Sequence, residues 1–275
     1  MNTRMIYEGD PWLEPWKNII DGRHRNITFR LNSLADASGH LSGRMNNHLH
    51  YGLHHTGNGW VFREYAPNAS KIYLLGDFNN WKRNPSWELH ACGGGDWEIK
   101  VPEAFLRHGQ LYKLFIEWPG GGGERIPSYA TRCVQDAQTK LFSAQVWNPA
   151  EPYVWKNGKA GPRRTPLVYE CHIGMSSEQE KVATFDEFRE NVLPRVKSLG
   201  YDTLQIMALQ EHPYYGSFGY QVSNFFALSS RFGTPDEFKR LVDEAHGMGI
   251  AVVMDIVHSH SVDNELEGLG MFDGR

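Results

Sequence analysis

The sequence predicts a multidomain protein of the β plus α/β class, with a helical arm, then a β-sandwich, then parallel β/α units. Three observations indicate this. The hydrophobic pattern changes to a period of two after about residue 45, a polar segment rich in Gly and Pro follows at 151–166, and apolar runs then alternate with capped helices. A chain of 275 residues is long enough for one large or two modest domains, each with its own core.

The first segment, residues 1–44, is predicted to be a helical arm. Asp10-Pro11-Trp12-Leu13 has the composition of a helix start, and Trp16, Ile19 and Ile20 fall on one side of the helix that follows. Because this segment has no cluster of polar side chains that indicates chemistry, we expect its role to be structural.

Residues 45–150 are predicted to form an immunoglobulin-like, antiparallel β-sandwich. Two strands alternate between apolar and polar positions, and their apolar residues are Trp97, Ile99 and Val101 in one strand and Tyr112, Leu114, Ile116 and Trp118 in the other. Turn residues separate the strands at Ala66-Pro67-Asn68, Gly76 to Asn80, Gly93-Gly94-Gly95 and Pro119 to Gly123. Trp60, Trp97 and Trp118 fall on alternating strand positions, so we expect them in the core.

After the linker at 151–166, residues 167–275 are predicted to form a parallel sheet in the order β-α-β-α-β. Strands of the buried type are expected at 167–171, 203–207 and 250–257. Two capping boxes, Thr184 to Glu187 and Thr234 to Glu237, predict the helix starts, and Gly200 and Gly249 lie where the helices should end. Pro194 predicts a kink or a break in the first helix.

Polar side chains follow the second and third of these strands. The connection from about 208 to 233 is far longer than the usual 2–6 residues and contains Glu211-His212-Pro213-Tyr214-Tyr215-Gly216-Ser217-Phe218-Gly219-Tyr220. The third strand runs into Asp255-Ile256-Val257-His258-Ser259-His260. Because ligands bind at the carboxyl ends of parallel strands, these two segments predict one wall of an active site.

Composition excludes several classes of function. A net charge of -4 and a pI near 6.3 give no basic face for nucleic acid, and no run of 18 apolar residues predicts a membrane span. The first residues lack the apolar stretch of a signal peptide, and three widely spaced cysteines predict neither a disulfide framework nor a metal site. We therefore expect a cytoplasmic protein. Its 9 Trp, 12 Tyr and 14 Phe exceed what core filling suggests, and planar rings suit stacking on sugar faces.

Together these motifs resemble the 1,4-α-glucan branching enzymes of the α-amylase superfamily, most closely the eukaryotic type. Tyr169-Glu170-Cys171-His172-Ile173-Gly174 is similar to the first barrel strand of that family. The run from Glu211 to Phe226 is similar to its second βα loop, and the run from Asp255 to His260 is similar to the first of its conserved regions. The resemblance covers nearly the whole chain. It implies the amino-terminal part of such an enzyme, in which residues 167–275 are the first three β/α units of a (β/α)₈ TIM barrel.

The resemblance implies roles for three residues. Tyr220 would stack on the glucose in the subsite where the bond is broken, His260 would hydrogen-bond the hydroxyls of that sugar, and Asp255 would organise the same subsite. The chemistry favours such groups, because an oxocarbenium-like transition state is stabilised by a π-face beneath the ring and by hydrogen bonds that strengthen as the ring flattens.

Other residues of the same two loops have less defined roles. His212 and Gln221 are further candidates for substrate contact, although both Gln221 and Asn224 have the alternative of orienting the loop. His258 is expected to support its loop rather than to touch sugar. Ser259 replaces the Asn that amylases use in a calcium site, so neither a metal ion nor any other cofactor is expected.

The sandwich resembles the glycan-binding module that precedes the barrel in branching enzymes, and Gly76-Asp77-Phe78-Asn79-Asn80-Trp81 is its recognisable turn. Trp81 is the candidate stacking residue, with an equal alternative as a structural turn residue. Trp87 and Lys113 are weaker candidates for glucan contact. The expected partner is an α-glucan such as glycogen, starch or a malto-oligosaccharide.

No catalytic residue is predicted in this chain. The family uses a retaining mechanism with an Asp nucleophile and a Glu acid/base, which the resemblance implies after the fourth and fifth barrel strands. A barrel needs about 250 residues, whereas about 110 follow the linker. We therefore expect both carboxylates to lie beyond residue 275 and the chain alone to be inactive. Two alternatives are an isoamylase-like hydrolase of the same superfamily and a non-catalytic glucan-binding protein.

Overall fold

The structure is a computed structural model that describes residues 5–43, 45–161 and 163–275. Residues 1–4, 44 and 162 of the predicted arm and linker therefore lie outside the described residues. The chain divides into two compact units, residues 1–50 and residues 51–275. Among the described residues, no helix is both long enough and apolar enough to cross a membrane.

The first unit contains one long helix, α1 (Lys17–Leu34), preceded by a single 3-10 turn, Glu14–Trp16. None of the residues in α1 is buried. The regular helix begins later than the predicted start at Asp10, although the Asp10 side chain accepts a hydrogen bond from the backbone N–H of Trp12. Pro11 and Pro15 lack an N–H donor and are suited only to first-turn positions, so regular α-helical bonding is established after them.

The second unit begins with nine antiparallel strands. They are β1 (Gly52–Thr56), β2 (Gly59–Tyr65), β3 (Lys71–Gly76), β4 (His90–Gly93), β5 (Asp96–Val101), β6 (Leu111–Trp118), β7 (Gly121–Arg125), β8 (Cys133–Gln135) and β9 (Phe142–Gln145). One sheet has the order β1-β2-β5-β4, and the other has the order β3-β6-β9-β8 with β7 also paired to β6. The predicted β-sandwich is confirmed.

The sandwich core follows the alternation predicted from the sequence. In β5, Trp97, Ile99 and Val101 are buried, whereas the intervening side chains are more exposed. The predicted core residue Trp60 is also buried, and Trp118 packs at the edge of the core. The core also includes Ala227, from a much later part of the chain. The core of the sandwich is therefore completed by a residue from outside residues 45–150.

The remainder of the second unit is built on a three-stranded parallel sheet. Its elements are β10 (Val168–Cys171), α2 (Phe185–Asn191), α3 (Leu193–Ser198), β11 (Thr203–Ile206), β12 (Gln210–Glu211), β13 (Asn224–Leu228), α4 (Pro235–Gly247) and β14 (Ala251–Met254). The parallel strands lie in the order β10-β11-β14, as the β-α-β-α-β pattern predicts. Within the described residues this sheet is open and does not close into a barrel.

The three strands are shorter and less buried than predicted. The third ends at Met254 rather than at Val257. Cys171, Leu204 and Ile206 pack beneath the helices, but Val168 and Val253 on the opposite face are exposed. The strands are therefore covered on one face only, because the described residues supply a layer of helices on that face alone.

Local signals in the sequence set the helix boundaries. The hydroxyl of Thr184 accepts a hydrogen bond from the N–H of Glu187, whose carboxylate accepts one from the N–H of Thr184, and Thr234 and Glu237 repeat this arrangement. The first predicted helix breaks at Val192 into α2 and α3. Pro194 lies in the first turn of α3, because its ring has no N–H to continue the bonding of α2.

Candidate functional site

The long loop after β11 folds back on itself as a hairpin. Gln210 and Glu211 of β12 pair with Leu228 and Asn224 of β13, and the segment between these strands carries the Tyr-rich motif. Gly219 packs so closely on Ala208 that a Cβ atom would lie 2.2 Å from the Ala208 carbonyl oxygen, and its φ is +89°. Only glycine fits this position without strain, and the turn it permits directs Tyr220 toward the end of β14.

Tyr220 and Asp255 meet at the carboxyl ends of β11 and β14. The Tyr220 hydroxyl donates a hydrogen bond of 2.7 Å to Oδ2 of Asp255, and its ring packs against the small apolar cluster of Ala208, Val222 and Val257. The hydrogen bond to Asp255, together with burial, raises the pKa of Tyr220 to about 12. The phenol is therefore protonated at neutral pH, and its single proton is directed at the carboxylate.

The segment after Asp255 runs beside the hairpin. The N–H of Val222 donates a 3.2 Å hydrogen bond to the carbonyl oxygen of His260, and the N–H of Val262 donates one of 2.8 Å to the carbonyl oxygen of Val222. The side chains of His260 and Gln221 are exposed and make no hydrogen bond within the described part of the chain. The backbone thus brings the predicted residues Tyr220, Gln221, Asp255 and His260 together at one edge.

His212, also predicted as a substrate contact, is placed differently. It has no exposed surface, its Nδ1 lies 2.9 Å from the Gln210 carbonyl oxygen, and its ring packs near Phe232. Burial lowers the pKa of His212, so the ring is neutral at pH 7. This burial favours a supporting role for His212 over direct contact with a ligand.

Sequence reasoning missed two supporting residues, Gln210 and His172. Gln210 Oε1 accepts a 2.8 Å hydrogen bond from the N–H of Val257, and its Nε2 donates one of 3.2 Å to the carbonyl oxygen of Phe225, so it ties the end of β14 to the hairpin. His172, directly after β10, is buried between the rings of Phe218 and Phe232. The available signal for His172 was its place in the Tyr-Glu-Cys-His motif at a strand end.

His258 and Ser259 lie on the segment that follows Asp255. The His258 ring lies 6.4 Å from that of Phe225 at an interplanar angle of 14°, which is a contact that supports the loop. Ser259 is exposed. In the described ranges, no three His, Cys, Asp or Glu residues are grouped so that they could hold a metal ion.

The second candidate site lies on the sandwich, at the turn after β3. Trp81 is 37% exposed and has a φ of +58°, and its indole Nε1 donates a 3.0 Å hydrogen bond to Oδ1 of Asp77. Trp87 stacks on Phe78 of the same turn, with ring centroids 4.3 Å apart, and lines a cavity of about 340 Å³ with Phe105. Trp87 is thus packed against the same turn that carries Trp81.

Lys113 is less available than the two tryptophans. Its side chain is nearly buried on β6, and its Nζ lies 3.4 Å from Oε2 of Glu124 on β7. Its main-chain partner across the sheet is Leu75, directly before the turn that carries Trp81. Lys113 therefore pairs across the sheet with the last residues of β3 only through its main chain, and its side chain is paired with a carboxylate.

Two segments of the chain match known protein families. Residues 50–132 match Carbohydrate-binding module 48 (Isoamylase N-terminal domain), and residues 190–267 match Alpha amylase, catalytic domain. The 1,4-alpha-glucan-branching enzyme of Dictyostelium discoideum is 42% identical over 99% of this chain and 41% of that protein. The enzyme of the same name from Aspergillus oryzae is 42% identical over 98% of this chain and 40% of that protein. The chain is similar in sequence to 1,4-alpha-glucan-branching enzymes over nearly its whole length.

The chain spans about two fifths of the length of the curated relatives that it matches. Solved structures agree on the fold. A protein from Salmonella typhimurium described as an alpha amylase has a TM-score of 0.62 at 26% identity, over 75% of this chain and 32% of that one. Pullulanase from Bacillus acidopullulyticus has a TM-score of 0.63 at 19% identity, over 78% of this chain and 30% of that one, and bears on the fold alone. The predicted order of a sandwich followed by the start of an α-amylase catalytic domain is confirmed.

Proposed function

We propose that the chain forms part of a 1,4-α-glucan branching enzyme. Such an enzyme cleaves an α-1,4-glucan chain and transfers it to a 6-hydroxyl group, which forms the α-1,6 branches of glycogen. The observation that supports this most directly is the Tyr220–Asp255 hydrogen bond of 2.7 Å, which joins the ends of two neighbouring parallel strands at the expected position of a sugar subsite.

The proposed roles follow from this geometry. With its hydroxyl held by Asp255, the Tyr220 ring has a fixed orientation and can lie beneath a glucose ring as a stacking surface. The exposed side chains of His260 and Gln221 are available to hydrogen-bond sugar hydroxyls. His212 and Gln210 support the loop from below. A fixed ring and fixed donors stabilise a flattened, oxocarbenium-like sugar more than the relaxed substrate.

We further propose that the 275-residue chain does not form branches by itself. A retaining displacement needs two carboxyl groups about 5–5.5 Å apart on either side of the bond that is broken. Asp255, the carboxylate at the candidate subsite, is already paired with Tyr220, and the resemblance assigns both catalytic carboxylates to later strands. A reading frame that continues past Arg275 with these carboxylates is expected to have the activity.

The sandwich is proposed to bind the same glucan through Trp81 and Trp87, with Lys113 as a weaker candidate for contact. We assign residues 45–150 to this module, 151–166 to the linker and 167–275 to the start of the barrel, with residues 1–44 as the helical arm. The expected partner is an uncharged α-glucan, and neither nucleic acid nor a membrane is an expected partner. The expected location of the protein is the cytoplasm.

A debranching hydrolase is the second candidate, because the family matched by residues 50–132 also carries the description of an isoamylase domain. Counting α-1,6 linkages by proton NMR separates the two functions in any longer form of the protein. A branching enzyme adds α-1,6 linkages to amylose, whereas a debranching hydrolase removes them from glycogen.

The chain itself is tested by glucan binding. Titration with maltoheptaose should give a dissociation constant that changes little with salt, because the ligand is uncharged. Absence of any binding at millimolar ligand would contradict the proposed glucan sites. Formation of α-1,6 linkages from amylose by the purified 275-residue chain would contradict its proposed inactivity.

A further inference from the structure

The sandwich contacts the hairpin β12/β13 at several points, and this is the hairpin whose tip carries Tyr220. Tyr129 of the sandwich stacks on Phe226, with ring centroids 4.6 Å apart and planes inclined by 19°. Arg132 Nη1 donates a 2.6 Å hydrogen bond to the carbonyl oxygen of Gly233, at the far end of the same loop. Ala227 is buried in the sandwich core. The base of the candidate site is therefore partly built on the sandwich.

Arg231 is the side chain that links this contact to the loop itself. Its Nη1 donates to the carbonyl oxygen of His212, and its Nη2 donates a 2.6 Å hydrogen bond to that of Pro213. The guanidinium carbon lies 5.6 Å from the ring centroid of Phe142, in strand β9 of the sandwich. One guanidinium group thus lies over an aromatic ring of the sandwich and donates to two carbonyl oxygens of the candidate site loop.

A buried carboxyl group lies beside Arg231 below the loop. Glu211 has no exposed surface, and its Oε1 lies 3.7 Å from Nη1 of Arg231. The same carboxylate accepts hydrogen bonds from the backbone N–H groups of His212 and Ser230, at 3.1 and 2.7 Å. A buried carboxylate with these partners fixes the start and the end of the loop relative to Arg231.

We propose that Arg231 is a positioning residue through which docking of the sandwich sets the conformation of the loop that carries Tyr220. A guanidinium can donate to two adjacent carbonyl oxygens from two different nitrogen atoms while its positive charge lies over an aromatic ring. The sandwich would then have a second role, beyond holding glucan, in the geometry of the barrel subsite. This inference builds on the proposed glucan site, but its first test does not require any glucan.

The first test is hydrogen–deuterium exchange of the 275-residue chain. In Arg231→Lys and Arg231→Met, amides of the 214–224 segment should exchange at least about tenfold faster, while those of β11 keep their protection. Tyr129→Leu, a change on the sandwich, should accelerate the same segment. Arg240→Lys is the matched control, because Arg240 is a partly exposed arginine that pairs with Asp186 away from the loop.

The lysine variant distinguishes a bidentate role from a charge role. Lys retains the charge beside Glu211 but donates from a single atom, so wild-type exchange in Arg231→Lys would overturn the proposed bidentate contact. Unchanged loop exchange in Tyr129→Leu would overturn the participation of the sandwich. Loss of protection in β11 would identify a global defect, in which case Tyr129→Leu alone decides the outcome.

A second measurement connects the loop to ligand binding. In a Trp81→Ala background, Arg231→Lys should weaken maltoheptaose binding at the remaining site by about threefold to tenfold, since a disordered Tyr220 must be ordered on binding. If the Trp81→Ala chain binds no glucan at all, the proposed function of the barrel site fails, whereas the exchange result still decides the role of Arg231.

Discussion

The hydroxyl of Tyr153, in the predicted linker, donates a 2.8 Å hydrogen bond to Oδ2 of Asp243 in α4. The same buried carboxylate accepts hydrogen bonds from the backbone N–H groups of Lys156 and Asn157, both at 2.8 Å, and from the Asn157 side chain. A segment that its Gly and Pro content marks as a linker is thus fixed to helix α4 by one side chain. The residues that join the sandwich to the parallel sheet are part of the folded structure.

Asp243→Asn should lower the free energy of unfolding, because an amide nitrogen in place of Oδ2 or Oδ1 cannot accept a hydrogen bond from these N–H groups. Burial raises the pKa of Asp243, but the hydrogen bonds from Lys156, Tyr153 and Asn157 outweigh it and lower the pKa to about 2. The native pKa lies below the ordinary value of 3.8, so this stabilisation is present above about pH 4 and is lost as pH falls toward 2.

Urea denaturation at pH 7 and pH 3 measures the effect of this substitution. The exposed Glu190→Gln is the control, because it removes a carboxylate from the neighbouring helix α2 without affecting the linker. Equal stability of Asp243→Asn and the wild-type chain at pH 7 would show that the linker contact is dispensable.

Glu64 predicts a pH dependence of the opposite sign. It is fully buried in β2 and accepts hydrogen bonds from the Ser128 hydroxyl and the Ser128 N–H, at 2.5 and 2.9 Å. Burial raises the pKa of Glu64 to about 7, although the Ser128 and Tyr65 hydrogen bonds oppose the shift. Because the native pKa exceeds the ordinary value of 4.5, its stabilising contribution is full below pH 4.5 and is lost as pH rises through 7.

Glu64→Gln should therefore flatten the fall in unfolding free energy between pH 4.5 and 7.5. At about 1.4 kcal/mol per pH unit, the removed dependence amounts to about 3 kcal/mol. Denaturant unfolding at four pH values measures this pH dependence. Glu103→Gln is the control, because Glu103 is an exposed carboxylate that pairs with His55. An unchanged pH profile in Glu64→Gln would mean that another group is responsible.

Trp81→Ala should weaken binding of maltoheptaose to the whole chain by about 1 kcal/mol or more, which is about fivefold in dissociation constant. The physical reason is loss of the exposed ring as a stacking surface. Isothermal titration calorimetry measures the affinity, and circular dichroism checks the fold. Trp12→Ala, which removes a tryptophan that is 87% exposed in the arm, should leave the affinity unchanged. Unaltered affinity in folded Trp81→Ala would make Trp81 a structural turn residue.

Two substitutions of Tyr220 distinguish the contribution of its ring to glucan binding from that of its hydroxyl. In a Trp81→Ala background, Tyr220→Ala should weaken the remaining glucan binding further, because the stacking surface of the second site is removed. Tyr220→Phe retains the ring but loses the hydrogen bond to Asp255, and it should lose about 1 kcal/mol of binding free energy. Tyr214→Phe is the control, because Tyr214 is an exposed residue of the same loop. If Tyr220→Phe bound as weakly as Tyr220→Ala, the hydroxyl would matter more than the ring.

Local features of this fold are determined by the sequence alone. The alternation in β5 and β6 predicts the two faces of the sandwich, because successive side chains of a strand point in opposite directions. The capping boxes at Thr184 and Thr234 and the break before Pro194 are equally local, because each depends on residues within one turn of a helix. The strand-end motif likewise predicts that Tyr220 and Asp255 lie at one site.

Contacts between distant segments are decided by the tertiary structure. His212 and His260 are both polar residues of strand-end loops, yet His212 is buried and His260 is exposed. Phe232 and β12 pack over His212, and this packing is a tertiary contact. Arg231 reaches Phe142, 89 positions away, and Asp243 fixes a segment that its Gly and Pro content marks as a linker. Burial and pairing of this kind depend on which surfaces meet after the chain has folded, and no local pattern carries that information.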